Sequence, residues 1–376
     1  MHKPDSSTTR LQEYIATVLP WAHGHQLKAI TTFVAQIIDK QTGCQAQLAR
    51  GLGNQEAAVK RLSRLLHNSR LAPKALADAV LRQALRQLPR HGKVRLAIDW
   101  TSEEQQHLLV VSLIVGRRAL PVYWRAYHSH VLKGRMQRYE LAVVHRAVTR
   151  FVQAVGSRRL IVTADRGFAD VPLFELLQSL KVEFIIRVKG STKVCLRGHW
   201  CKLNTLSFAG NTRRRNLGHL AYCESSPQRL WVSMSRARDR NGQWGIWYLV
   251  SNRARRAGAM AEEYGHRFGC EEGFRDAKWW LGFSRARVQA VAAWSRLFAL
   301  FVLALLVVVS LSMRVLLRGG ASARQRLRRV TSRRRARCEL SLVSAMISLL
   351  QEDKSLLTYL CAQVKLNLEA NLANVS

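Results

Sequence analysis

The sequence predicts a mixed α/β protein: an apolar sheet core, helical regions before and after it, and a β-rich insertion within it. Three observations carry this. Residues 1–90 repeat their apolar positions at helical spacing. After His91 the period changes to short apolar runs, KVRLAIDW, HLLVVSLIVG and ALPVYWRAY, which read as strands. Further apolar runs, RLIVTADRGF and VEFIIRVKG, then alternate with the helical patterns RYELAVVHRAVTRFVQAV and VPLFELLQSL, the succession of a sheet covered by helices.

The elements divide the chain into five parts. In residues 1–90, LQEYIATVLPWAHGHQLKAITTFVAQIIDK is amphipathic helix. CQAQLARGLGNQEAAVKRLSRLLHN then offers a short helix, a turn at Gly51–Gly53 and a basic helix, with Leu48, Leu52, Val59, Leu62 and Leu65 set against Lys60, Arg61 and Arg64. That arrangement resembles a helix-turn-helix, and a plain helical bundle with a basic face reads equally well. Residues 91–190 form the first part of the core, with strands apolar enough to be buried on both faces. Residues 191–250 carry short alternating runs, CLRGHW, HLAYCES, RLWVSMSRARD and GIWYLVSN, as the β-rich insertion. Residues 251–315 return to helix as the second part of the core. Residues 316–376 hold an arginine run from Arg324 to Arg337 and a final helical segment.

The charge balance narrows the function. Lys and Arg number 60 against 24 Asp and Glu, a net charge of +36, so the expected partner is a polyanion, and nucleic acid first. Seven scattered cysteines without a CxxC pair suggest neither a disulfide framework nor a zinc ribbon, and fit a reducing cytoplasm. The N-terminal MHKPDSSTTRLQEY lacks the apolar stretch of a signal peptide. His128 and His130 read as loop histidines, with no second ligand pair nearby. Leu297–Met313 runs 17 residues without a charge, between Arg296 and Arg314. This is the lower edge of membrane-spanning length, and the expectation is a buried core helix with no membrane partner.

Acids stand out in so basic a chain. Asp99 closes KVRLAIDW and Asp165 closes RLIVTADR, each at the edge of a sheet, where α/β proteins build their sites. Strand-end aspartates also cap turns. A third acid comes from YGHRFGCEEGFRDAK. On a continuous helix with Tyr264 at zero, Arg267 falls at about 300°, Glu271 at about 340° and Lys278 at about 320°. Glu272 is about 100° from Glu271 and off this stripe. Three carboxylates meeting at one point repel one another and need cations, and hard oxygen donors suit Mg²⁺ or Mn²⁺. Two such ions can drive phosphodiester cleavage, with the neighbouring bases gripping phosphates.

Tyr264-x2-Arg267-x3-Glu271-x6-Lys278 resembles the Tyr-Arg-Glu-Lys signature of DDE transposases of the insertion-sequence-four type. ValThrAlaAspArgGlyPhe around Asp165 resembles that family's second-aspartate motif, and AlaIleAspTrpThr around Asp99 its first. The resemblance spans about residues 90 to 290. It implies a ribonuclease-H-like core with a β-rich insertion, in which Asp99, Asp165 and Glu271 are catalytic and hold two Mg²⁺ ions, with Mn²⁺ as substitute. It implies cleavage at the inverted-repeat ends of an element and joining of the 3′-hydroxyls to target DNA. It places Tyr264, Arg267 and Lys278 on phosphates near the cut end, and Trp247 under a flipped base, against the alternative that Trp247, Trp231 and Trp244 pack the insertion's own core. It further implies double-stranded DNA as partner, a homodimer on DNA and action at the bacterial nucleoid. Cys270 departs from the family, where an aliphatic residue commonly precedes the Glu. The competing expectations are a cutting-only nuclease of the same fold, a DNA-binding repressor without catalysis, and a basic membrane protein.

Overall fold

The computed structural model describes residues 6–115, 118–208, 210–238, 243–269, 281–318 and 346–349. Five helices come first: α1 (Ser6–Val18), α2 (Gly24–Lys40), α3 (Gln45–Ala49), α4 (Gln55–His67) and α5 (Pro73–Arg86). α3 and α4 flank a turn in which Gly51 and Gly53 take φ of 83° and 74°, left-handed values open to glycine. Asn54 caps α4 by accepting from the Ala57 amide at 3.0 Å. Leu62, Leu65 and Leu66 face the core, while Lys60, Arg61 and Arg64 face outward.

Three antiparallel strands follow, β1 (Val94–Glu103), β2 (Gln106–Val115) and β3 (Arg118–His128), then a short α6 (Ser129–Leu132) and the long α7 (Met136–Val155). β4 (Leu160–Ala164), α8 (Val171–Ser179) and β5 (Glu183–Val188) complete the centre. β6 (Lys193–Leu196), β7 (His199–Lys202), β8 (Arg214–Tyr222), β9 (Gln228–Arg238) and β10 (Trp244–Ser251) lead to α9 (Ala257–Gly265) and the long α10 (Val291–Arg318).

All ten strands belong to one sheet, ordered β3-β2-β1-β4-β5-β10-β9-β8-β6-β7. β1, β4 and β5 are parallel to one another, and every other neighbouring pair is antiparallel. The β-rich stretch therefore does not fold around a small core of its own. β10 pairs with β5 and carries the sheet onward. The apolar reading of the strands holds, since β4 is buried at all five positions. α7 and α8 cover one face, where Trp100 donates to Glu140 at 2.6 Å and Phe174 stacks on Phe184. α9 covers the other.

α10 is long and apolar enough to cross a membrane by length and composition, and 89% of its Val291–Ser310 stretch is buried inside the protein. Here it is a core helix. It packs against α2, α4, α5 and β3, with Phe298 edge-on to Trp124 at 5.3 Å. Burying each such apolar side chain is worth about 1.5–3 kcal/mol. Among its described side chains the buried charge is satisfied: Arg296 donates to the carbonyls of Leu71 at 2.6 Å and Leu66 at 2.8 Å. A glycine pair makes a second seam between the first helices and the later chain. The Gly43 amide donates to the Gly282 carbonyl at 2.8 Å, and Gly282 has φ 77°.

Candidate active site

The parallel ladder between β1 and β4 ends at the pair Ile98–Ala164. Asp99 and Asp165 are the next residue on each strand, so the topology alone brings them side by side. The strand carrying Asp99 is longer than its apolar run suggested. β1 continues to Glu103, held by its hairpin with β2, because only the β4 side of its ladder stops. Asp165 leads instead into a tight 3-10 turn, in which the Phe168 amide donates to the Asp165 carbonyl at 2.9 Å. The register also puts Arg95, Ala97 and Asp99 on one face with Thr163, Ile185, Arg187, Leu249 and Trp247.

α9 lies on this face because its sequence gives it a buried stripe. Ala257, Met260 and Tyr264 recur at helical spacing, and Met260 and Tyr264 pack on Ile185 and Leu249. Its charged residues dock by pairing. Glu263 binds the Arg95 guanidinium at two points, through Nε and, at 3.2 Å, through Nη2. One turn later Arg267, only 4% exposed, reaches the acids. Its Nη1 donates to Asp99 Oδ2 at 3.0 Å, and its Nη2 stands 4.0 Å from Asp165 Oδ2. The Tyr264 hydroxyl donates to Asp165 Oδ1 at 3.1 Å.

The helix expected to run on from Tyr264 is interrupted at His266–Arg267, and Phe268 and Gly269 are helical again. α9 ends at Gly265, and the His266, Arg267 and Gly269 amides bond three residues back rather than four. Glycine weakens a helix at that point. Tyr264 and Arg267 still reach the same pair of acids, since residues three apart also share a side of a tightened turn. Trp247 lies beside them and not in a separate insertion core: its ring is 5.1 Å from Tyr264 and 5.4 Å from Phe268. Trp231 stacks on His219 at 5.1 Å, and Trp244 is 52% exposed. Glu271, Lys278 and Cys270 lie outside the described residues.

The environment divides the two aspartates. Burial pushes the Asp99 carboxyl above its ordinary range; Arg267 pulls it back and the charge of Asp165 pushes it further up. Burial works the same way on Asp165, but the Arg166 amide, Arg267 and the Tyr264 hydroxyl together hold it below the usual value. The Tyr264 phenol is pushed up to about 12, mainly by burial, so it stays a donor. Among the described residues no three His, Cys, Asp or Glu side chains gather as a metal cage; His128 and His130 are a lone pair 2.7 Å apart. Cys44, Cys195, Cys201 and Cys223 are free thiols.

Three contributors were not expected from the sequence: Arg95, Glu263 and Arg187. A signal was present for the first two. Arg95 precedes Asp99 by four residues on an alternating strand, and Glu263 precedes Arg267 by four on a helix. Each pair therefore shares a face, with opposite order of charge. Arg187 becomes visible only through the register of β5 with β4 and β10.

No curated protein matches the chain. Residues 136–307 match the family model described as the transposase DDE domain, a span that begins after Asp99 and contains Asp165, Tyr264, Arg267 and Glu271. Two acids joined at the end of a parallel ladder, with this match over just under half of the chain, support a DDE transposase.

Proposed function

We propose that the chain is a metal-dependent DNA transposase of the insertion-sequence-four type. It would cut at the inverted-repeat ends of its own element and transfer the freed ends into target DNA, as a homodimer at the bacterial nucleoid. The observation that carries this is the meeting of Asp99 and Asp165 at the end of the β1–β4 ladder, with Tyr264 and Arg267 brought to the same point. The central order β3-β2-β1-β4-β5, with three parallel strands and an antiparallel hairpin, supports a ribonuclease-H-like core.

The donor chemistry fits a divalent cation: two hard carboxylates from neighbouring strands already share one positive group, the Arg267 guanidinium. Asp99, Asp165 and Glu271 would hold Mg²⁺, or Mn²⁺ in its place. When bound, the metal supplies an activated water or hydroxyl and stabilises charge at the phosphorus. The chain's own residues do the rest. Arg267 stands over the Tyr264 and Phe268 rings, at 5.7 and 5.6 Å, and would exchange a carboxylate for a phosphate. Lys278 would add a second cation. Tyr264 donates from a buried position, and Trp247 offers a ring edge for an unpaired base. α4 of the helix-turn-helix-like region would lay Lys60, Arg61 and Arg64 on DNA phosphates.

A nicking assay on the element's own ends tests this. Asp99→Ala, Asp165→Ala and Glu271→Gln should each abolish Mg²⁺-dependent cleavage and leave DNA binding intact. Cleavage that survives chelation, or any of the three substitutions, overturns the reading. Cutting without joining on paired ends would instead identify a nuclease of the same fold.

A further inference from the structure

The tips of β8, β9 and β10 carry an aromatic and cationic surface that the site above does not use. Trp244 opens β10 and is 52% exposed; Ile246, two residues on, is 36% exposed. Two guanidiniums stand over the Trp244 ring, Arg213 at 5.3 Å and Arg238 at 4.8 Å. Arg236 stands over Phe208 at 4.9 Å. None of these three arginines has a carboxylate partner among the described residues.

Register fixes where this surface lies. β10 runs antiparallel to β5, with Tyr248 opposite Val188, the last residue of β5. Trp244 is four residues further, about 13 Å past the end of β5. It therefore projects from the same edge of the sheet that carries Asp99 and Asp165. Its face is the opposite one. Trp247 and Ser235 pair on the acids' face, so Trp244 with Arg238 and Ile246 with Arg236 pair on the far face.

We propose that Trp244, Arg213, Arg236 and Arg238 form a second DNA-binding surface, gripping the backbone of a duplex segment that passes the sheet edge behind the catalytic face. A guanidinium over an aromatic ring, with no carboxylate partner among the described residues, can still offer its N–H donors to a phosphate. It is thus set in advance for bidentate contact with a phosphate. The ring between two such groups excludes water and fixes their spacing. An exposed tryptophan that only packed the sheet would turn inward, and a solvated arginine would have no need of the ring. The inference rests on DNA as the partner and not on the acids cutting it.

The test is binding of the full chain to a fluorescein-labelled duplex of arbitrary sequence in EDTA, across a salt series. Arg213→Ala with Arg238→Ala removes two phosphate contacts, so the slope of log K against log salt should fall by about 2, at about 0.9 per phosphate. The control, Lys202→Ala with Arg229→Ala, loses the same charge at the far end of the neighbouring strands and should leave the slope within about 0.5 of wild type. Trp244→Ala should weaken binding several-fold, with Trp244→Phe restoring most of it. Thermal melts verify folding, and if the double arginine variant unfolds, the Trp244 pair of variants decides the question alone. Equal slopes for patch and control variants, or a Trp244→Ala protein that binds like wild type, overturn the inference. Cleavage at the element ends, measured separately, then still judges the proposed function.

Discussion

Arg296 sits where a membrane-spanning reading of α10 and a core reading part company. Its side chain enters the protein and ends on two main-chain carbonyls. Leu66 belongs to the last turn of α4, whose carbonyls have no partner within the helix. Leu71 lies in the link to α5. One guanidinium thus closes the end of one helix, fixes the approach to the next and ties both to α10. Burial lowers the Arg296 pKa, but an arginine starts so high that the charge is kept. Arg296→Met keeps much of the volume and deletes both donors. Each stranded carbonyl costs about 1–3 kcal/mol, giving about 2–6 kcal/mol for the pair. That is a large part of the ~5–15 kcal/mol that holds a typical domain together. Arg296→Lys should fall between, because an ammonium cannot serve both carbonyls in one plane.

Equilibrium urea unfolding in detergent-free buffer, followed by tryptophan fluorescence, measures this. A loss under about 1 kcal/mol for Arg296→Met would show that the two bonds do not hold the helices together. A chain recoverable only with detergent would refute the core assignment of α10 altogether.

Other perturbations read other parts of the molecule. Gly282→Ala must put a side chain into a left-handed backbone position, with its Cβ only 2.6 Å from the Thr42 Cα; the conformation alone costs about 1–2 kcal/mol, and the melting temperature should drop by several degrees. An unchanged melting temperature would mean the seam with Gly43 is looser than drawn. Glu140 has its carboxyl raised, by burial first and by Asp170, against the lowering effect of the Trp100 bond. Its protonated form is the one the fold favours, so the stability it contributes at low pH is lost as pH rises through the folded value. Glu140→Gln, which can still accept from Trp100, should gain on wild type at about pH 8 and show no gain at about pH 4; an offset independent of pH would refute the cause. Glu272→Gln should leave cleavage within a few-fold of wild type while Glu271→Gln is inactive, and the reverse result would exchange their roles. Arg95→Met and Glu263→Gln should each cost about 1–3 kcal/mol. Combined, they should cost less than the sum by at least ~0.5 kcal/mol, and strict additivity would deny the pair.

Much of this was legible in the chain because the signals were local. The apolar runs located all five central strands, and the two aspartates at run ends are adjacent in the fold. The spacing set Tyr264 and Arg267 on one side of the chain, and both reach the aspartates. Yet the helix is not continuous there: Gly265 ends α9, and the His266 and Arg267 amides bond three residues back. What could not be read were pairings between distant segments. Nothing local says that GIWYLVSN adds to β5 and extends the main sheet. The alternation that suggested a separate insertion core is equally the pattern of a sheet extension with one face covered by α9. The place of Trp247 follows from that pairing, since only a β10 joined to β5 sets its ring beside Tyr264.

The same fold sets two acids side by side in a chain with a net charge of +36. A carboxylate pair in a strongly positive field could be bound by any passing side chain. Two other arginines on this face, about four residues back along the strands, are paired with carboxylates of their own. Arg95 is taken by Glu263, and Arg255 by Glu183. Among the described residues Arg267 is the one cation within ion-pair distance of Asp99 and Asp165, one turn beyond the Arg95–Glu263 pair. The Arg95–Glu263 pair thus positions α9 as well as stabilising it, and with it the guanidinium that meets the acids. A partner with more charge than one guanidinium, or a phosphate that draws Arg267 away, would change the occupant without moving the scaffold.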